Sequence, residues 1–205
     1  MSRHATRAAV ALACLVSVLG ACSDDGGGGA ADAAADARTD AAIDASSDAP
    51  TGPLTITSTA FADGETIPGA YTCNGANQSP PLAWVSTPPG TRSLAVIMTD
   101  TTVGLIQWAI YDIPPARTGL PADVDKTYTP ADVPGAHQAR SFNAEVTGYL
   151  GPCPPQQHTY AFELYALDAE MLPGTSEATT RVQVQALVSA RVVASATLTG
   201  TYAQP

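Results

Sequence analysis

The sequence is poor in positive charge. Nine lysines and arginines stand against nineteen acids, for a net charge of −10. A protein that follows a phosphate backbone needs a basic stripe, so the balance argues against nucleic acid as a partner. From Thr51 onward acids still outnumber bases, and this part has no general attraction to anionic lipid surfaces. The apolar run Ala8–Leu19, broken only by Ser17, is too short for a permanent membrane-spanning helix. Ser79, His158 and Asp100 are a nucleophile, a base and a carboxylate by type. However, Ser79 lacks a Gly-x-Ser-x-Gly elbow and precedes two prolines, which counts against a hydrolase. Gly26–Gly29 precede no helix and read as a spacer, not a phosphate cradle. Cys73, Cys153 and His158 lack the short ligand spacing of zinc sites. No metal, cofactor or enzymatic chemistry is expected.

The first 22 residues have three parts. Met1–Arg7 carries two arginines, the apolar run follows, and Leu19-Gly20-Ala21-Cys22 resembles a bacterial lipobox. Residues 1–21 are read as a lipoprotein signal peptide, with Cys22 the thiol that receives diacylglycerol. Acyl chains anchor stably in pairs, each buried methylene contributing roughly 0.8 kcal/mol. Ser23 after the cysteine, in place of Asp, favours the outer membrane over the inner by the enteric sorting rule. The expectation is a lipid-anchored protein of the cell envelope, facing the periplasm or the surface.

Ser23–Pro50 is an Asp/Ala/Gly tract with seven aspartates against Arg38 alone, and Ile43 is almost its only large apolar residue. It cannot bury enough surface to offset its ordering entropy, so 22–52 is expected to be a disordered tether. That leaves about 155 residues, 53–205, enough for one domain with a real core.

From Pro53 the pattern is one of short apolar or alternating runs between Pro/Gly turns, the mark of an all-β domain. Strands are expected at Leu54–Thr59, Leu82–Val85, Ser93–Met98, Ile106–Ile113 and around Tyr160–Leu164. Ser93–Met98 reads as buried on both faces. Val182, Val184, Leu187, Val188 and Val192 predict one helix over about 177–194, with Thr175 or Ser176 as N-cap. Ala196–Tyr202 reads as a final strand. The fold expected is an antiparallel β-sandwich with one C-terminal helix.

Several segments together resemble the phosphatidylethanolamine-binding protein family, also called Raf-kinase-inhibitor-like, in its bacterial YbhB/YbcL-type branch. They are Ile67-Pro68 with Tyr71–Gly75, Asn77–Leu82 with Trp84, Ser93–Asp100, Trp108–Pro114 with Gly119–Pro121, Thr147–Pro155, His158–Leu167 and Leu198–Tyr202. The resemblance covers essentially all of 54–203. It implies a β-sandwich with a small surface pocket for phosphate-like anions or phospholipid head groups. Carried over position by position, the pocket draws on Asp100, on Gln107 where the family has a histidine, and on His158 and Tyr160, with Gly151 and Pro152 on the rim.

The chain departs from the family pattern at several of these places. Thr101 and Thr102 follow Asp100 in place of a proline and a second acid, Thr159 replaces an arginine, and Asn74 stands where Asp is common. Gln107 donates a neutral hydrogen bond but adds no charge. One imidazolium, the Tyr160 hydroxyl and amides near Gly151 suit a monoanion, whereas a phosphate dianion would meet Asp100 with a single countercharge. Hydrogen bonds to charged groups contribute roughly 1.5–3 kcal/mol, so losing one should weaken phosphate binding about ten-fold or more. The pocket is expected to prefer a weakly charged or zwitterionic ligand, or to have lost binding. Some relatives instead inhibit kinases or proteases, so a protein-interaction module against an extracytoplasmic protease is the alternative, its partner unidentified.

Cys73 and Cys153 both lie in segments that the family places around the pocket. In an exported protein such a pair usually bonds, so a disulfide is expected, a free packed pair being the other option. Trp84 and Trp108 read as core, and His137, in a polar Pro-flanked stretch, as an exposed loop residue.

Overall fold

The structure, a computed structural model, describes residues 52–141 and 145–205. The expected signal peptide, the lipidated Cys22 and the tether up to Thr51 lie outside the described residues. Among those described, eight strands form two antiparallel sheets. β1 (Thr55–Thr57), β2 (Leu82–Val85) and β5 (Gly119–Leu120) form the smaller, in that order. The larger runs β6 (His137–Gln138), β4 (Leu105–Ile113), β3 (Ser93–Asp100), β7 (His158–Leu167) and β8 (Val192–Tyr202).

The alternation seen in the sequence sets the two layers. Leu94, Val96 and Met98 of β3 and Phe162 and Leu164 of β7 face the smaller sheet, packing with Ile56, Leu82, Trp84 and Leu120. The opposite face of the larger sheet carries Ala95, Ile97, Ala109 and Tyr111 under Val184 and Val188 of α1 (Arg181–Ser189). Burial on both faces explains why β3 reads as a continuous apolar run. Trp84 and Trp108 are core residues, and Trp108 Nε1 donates to Gln138 Oε1 at 2.7 Å.

The helix is shorter than its periodicity predicts. Thr180 is the N-cap, and it forms a capping box with Gln183, so residues 177–179 stay outside α1. Ser176 and Thr179 instead close a turn on each other, Thr179 N donating to Ser176 O and Ser176 N to Thr179 Oγ1. At the other end Val192 pairs with Leu167, so Val192–Ser195 extend the last strand instead of the helix. Their β-branched valines suit that ladder.

His137 also differs from its reading as an exposed loop residue. It sits on β6 with Nδ1 3.1 Å from Asp112 Oδ2, its ring against Tyr128 and Tyr111. Asp112 adopts a left-handed φ of 56° within β4, and its Oδ1 accepts from Leu172 N. Burial pushes the Asp112 carboxyl up, against the lowering influence of the Leu172 amide and His137.

Candidate functional site

The site forms where the central strands of the larger sheet end together. Asp100 closes β3 and lies opposite Tyr160 of β7. His158 opens β7 and lies opposite Tyr202 of β8. Period-two alternation puts Asp100 in line with Met98, and His158 and Tyr160 in line with Phe162, on the face toward the smaller sheet. His158 Nδ1 is 2.7 Å from Asp100 Oδ2. The other carboxylate oxygen accepts from Thr102 N at 3.0 Å. Asp100 is almost fully buried, while the His158 side chain keeps about a fifth of its surface. The pair thereby fixes the imidazole plane, and Nε2 has no partner among the described residues.

Tyr160 is completely buried, its ring 6.5 Å from that of His158. Among the described residues its hydroxyl makes no hydrogen bond of good geometry, although it lies near the Asp100 carboxylate. Burial, and next the Asp100 carboxylate, push the phenol pKa upward, so the group stays a neutral donor. An unsatisfied buried hydroxyl costs free energy and requires an explanation.

Three of the residues that depart from the family pattern, Thr101, Thr102 and Thr159, are joined to each other. Thr102 Oγ1 accepts from Thr159 N at 3.0 Å, and Thr101 donates to Thr159 O through both its amide and its hydroxyl. The β3–β4 turn is thus clamped to the start of β7 beside His158. Nothing in the residue pattern signals this clamp, because threonine hydroxyls take partners according to fold.

Gly151 and Pro152 are buried and tied to the segment around Cys73. Gly151 N donates to Asn77 Oδ1 at 2.7 Å, and Cys73 N to Pro152 O at 3.0 Å. A Cβ on Gly151 would stand 2.5 Å from Tyr71 O, so the close approach of the two loops requires glycine. Cys73 and Cys153 are disulfide-bonded with Cα atoms 5.4 Å apart. Asn74 Nδ2 donates to the Tyr202 hydroxyl at 2.9 Å, which ties this rim to the strand residue opposite His158.

Gln107 stands apart from this contact set. It is buried on β4 at the register shift that follows the pairing of Thr99 with Ile106, and its Oε1 has no partner among the described residues. Asp100, His158 and Tyr160 are brought together; Gln107 lies near the same end of the sheet without a bond to any of them. Ser79 is fully buried, and its hydroxyl accepts from Val124 N, so that side chain is committed to the loop after β5.

Fold and corner together define a β-sandwich domain with an Asp–His pair at one end of its central sheet. The sequence model of the phosphatidylethanolamine-binding protein family matches residues 57–203, and the chain belongs to that family. It is similar to a UPF0098 protein of Aquifex aeolicus, 34% identical over 73% of this chain and 88% of the relative. LppC of Mycobacterium tuberculosis, whose name describes it as a candidate lipoprotein, is 36% identical over 97% of this chain and 96% of its own. Among solved structures, that of Escherichia coli YbcL, titled a member of the mammalian PEBP family, matches with a TM-score of 0.67. The identity is 29%, over 75% of this chain and all of that one.

Proposed function

We propose that the chain is a lipid-anchored envelope protein that binds a small monoanionic or zwitterionic group, such as a phospholipid head group, without catalysing a reaction on it. The Asp100–His158–Tyr160 corner is the binding site. The observation that carries this reading is the Tyr160 hydroxyl, buried beside a carboxylate-oriented imidazole and left without a well-formed hydrogen bond among the described residues. A ligand oxygen placed there would accept from Tyr160 and from the second ring nitrogen of His158. The clamp of Thr101 and Thr102 onto Thr159 leaves no charged side chain at those three positions, in keeping with a singly charged group. The anchor is supported by the LppC alignment, which spans nearly the whole chain and so takes in the region of Cys22.

Calorimetric titration of the full chain with phosphoethanolamine and with inorganic phosphate tests the reading. Tyr160→Phe removes an unsatisfied hydroxyl, so it should fold at least as stably as the parent while binding phosphoethanolamine roughly 3- to 10-fold more weakly. Gln107→His should raise phosphate affinity about ten-fold. Unchanged affinity in both variants would remove the corner as the site.

A further inference from the structure

α1 opens with Arg181, which is only 3% exposed. One terminal nitrogen of its guanidinium donates to Gly148 O at 2.8 Å, and the other reaches Ile106 O at a long 3.4 Å. Its Nε, also buried, has no hydrogen-bond partner among the described residues. Among the described residues no ion pair includes Arg181. Burial lowers its pKa to about 10, which still leaves it charged at neutral pH. Among the described residues the buried guanidinium therefore meets two carbonyl oxygens and no carboxylate. Taking such a charge out of water is costly unless an anion meets it.

Beside Arg181 lies a cavity of about 370 Å³, lined also by Gly104, Leu105, Ile106, Val182 and Gln185. That volume is in the range of small-molecule sites. Its rim is apolar. Leu105 is 38% exposed and Val182 62%, and Val103, one residue before the lining Gly104, is also 62% exposed. Two of the large exposed hydrophobic side chains thus line the cavity with its one cationic side chain, and a third, Val103, directly precedes the lining in the chain. The positive end of a nine-residue helix points the same way. α1 covers the face of the sheet carrying Ala95, Ile97 and Ala109, opposite the face that carries Tyr160, so this cavity is separate from the Asp100–His158 corner.

We propose that this cavity is a second binding site, for an amphipathic monoanion: a carboxylate head against Arg181, with an alkyl tail over Leu105, Val182 and Val103. A planar carboxylate suits the guanidinium fork. A dianion would find only one countercharge in the lining.

The test is a titration of the full chain with sodium decanoate below its micelle concentration, followed by calorimetry and by the methyl resonances of Leu105 and Val182. Removing Arg181 would also remove its bonds to Gly148 and Ile106, so the variants are made on the rim. Val182→Asp sits exposed in the first helical turn, where an acid is compatible with the helix dipole, and Leu105→Asp sits at a strand end. Saturable one-to-one binding is expected, weakened at least ten-fold in either variant and unchanged in His158→Ala, with no competition from decyltrimethylammonium. Absence of saturable binding would overturn the proposal. So would equal binding of the cationic amphiphile, or decanoate affinity unmoved by both rim variants.

Discussion

The imidazole of His158 and the carboxylate of Asp100 meet at 2.7 Å although 58 residues separate them in the chain. The contact depends on two ladders keeping register. β3 and β7 pair residue for residue from Ser93↔Leu167 to Asp100↔Tyr160, and His158 lies two residues before Tyr160 on the same face. A slip of one residue would turn His158 to the other side of the sheet. The apolar core below, Met98 and Phe162 in particular, therefore fixes the geometry of the polar end.

Asp100→Ala should destabilise the domain by about 1–3 kcal/mol, because Thr102 N and His158 Nδ1 both lose a buried acceptor. Urea denaturation measures the change. A loss below a few tenths of a kcal/mol would mean that water replaces the carboxylate.

Reduction of Cys73–Cys153 should lower stability. The bridge spans a sequence separation of 80, for which the chain-entropy model gives a ceiling of about 4–5 kcal/mol. Comparing denaturation midpoints with and without reductant checks this, and the rim bonds of Gly151 and Cys73 should show the earliest rise in amide exchange.

Gly200→Ala should destabilise by about 1–3 kcal/mol through overpacking. An added Cβ would stand 2.6 Å from Ile67 Cγ1 and 3.0 Å from a Phe61 ring carbon, in the tightly filled core. Thermal unfolding reads the effect, and Ile67→Val in the same chain should relieve part of it.

Asp112 predicts a pH dependence of defined sign. Its carboxyl is raised above the ordinary value of 3.8, chiefly by burial, so the folded state holds its proton more tightly than the unfolded state. The stabilisation this supplies is complete below pH 3.8 and is lost as pH rises through the folded-state value. Asp112→Asn, which keeps an acceptor for Leu172 N, should lack that slope. Stability of both proteins from pH 3 to pH 7 is the measurement, and parallel curves would contradict the assignment.

The strands were legible because the alternation of Tyr160, Phe162 and Leu164, and the Pro/Gly turns between apolar runs, report directly on a two-layer sheet. The C-terminal helix was legible in kind but not in extent. Val182 to Val192 fits helical spacing, yet Val192 and Val193 also suit a strand, and pairing with Leu167 decides between them. The contact of Asp112 with His137 could not be read from the chain, since it depends on the short β4–β6 ladder and on a left-handed backbone at an aspartate. Asp100, His158 and Tyr160 were identified through family resemblance, and pairing in the larger sheet joins them. Gln107 was identified in the same way, and its position on β4 gives it no bond to the other three. The threonine clamp and the orphaned Arg181 Nε are properties of packing, invisible in spacing or composition.

The most direct test follows the ¹⁵N and ¹H resonances of the His158 ring in the full chain while phosphoethanolamine is added. The account predicts a saturable shift at Nε2, smaller at the Asp100-bonded Nδ1, and its weakening in Tyr160→Phe. A His158 ring that keeps its resonances through a saturating titration, or shifts identically in Tyr160→Phe, would contradict it.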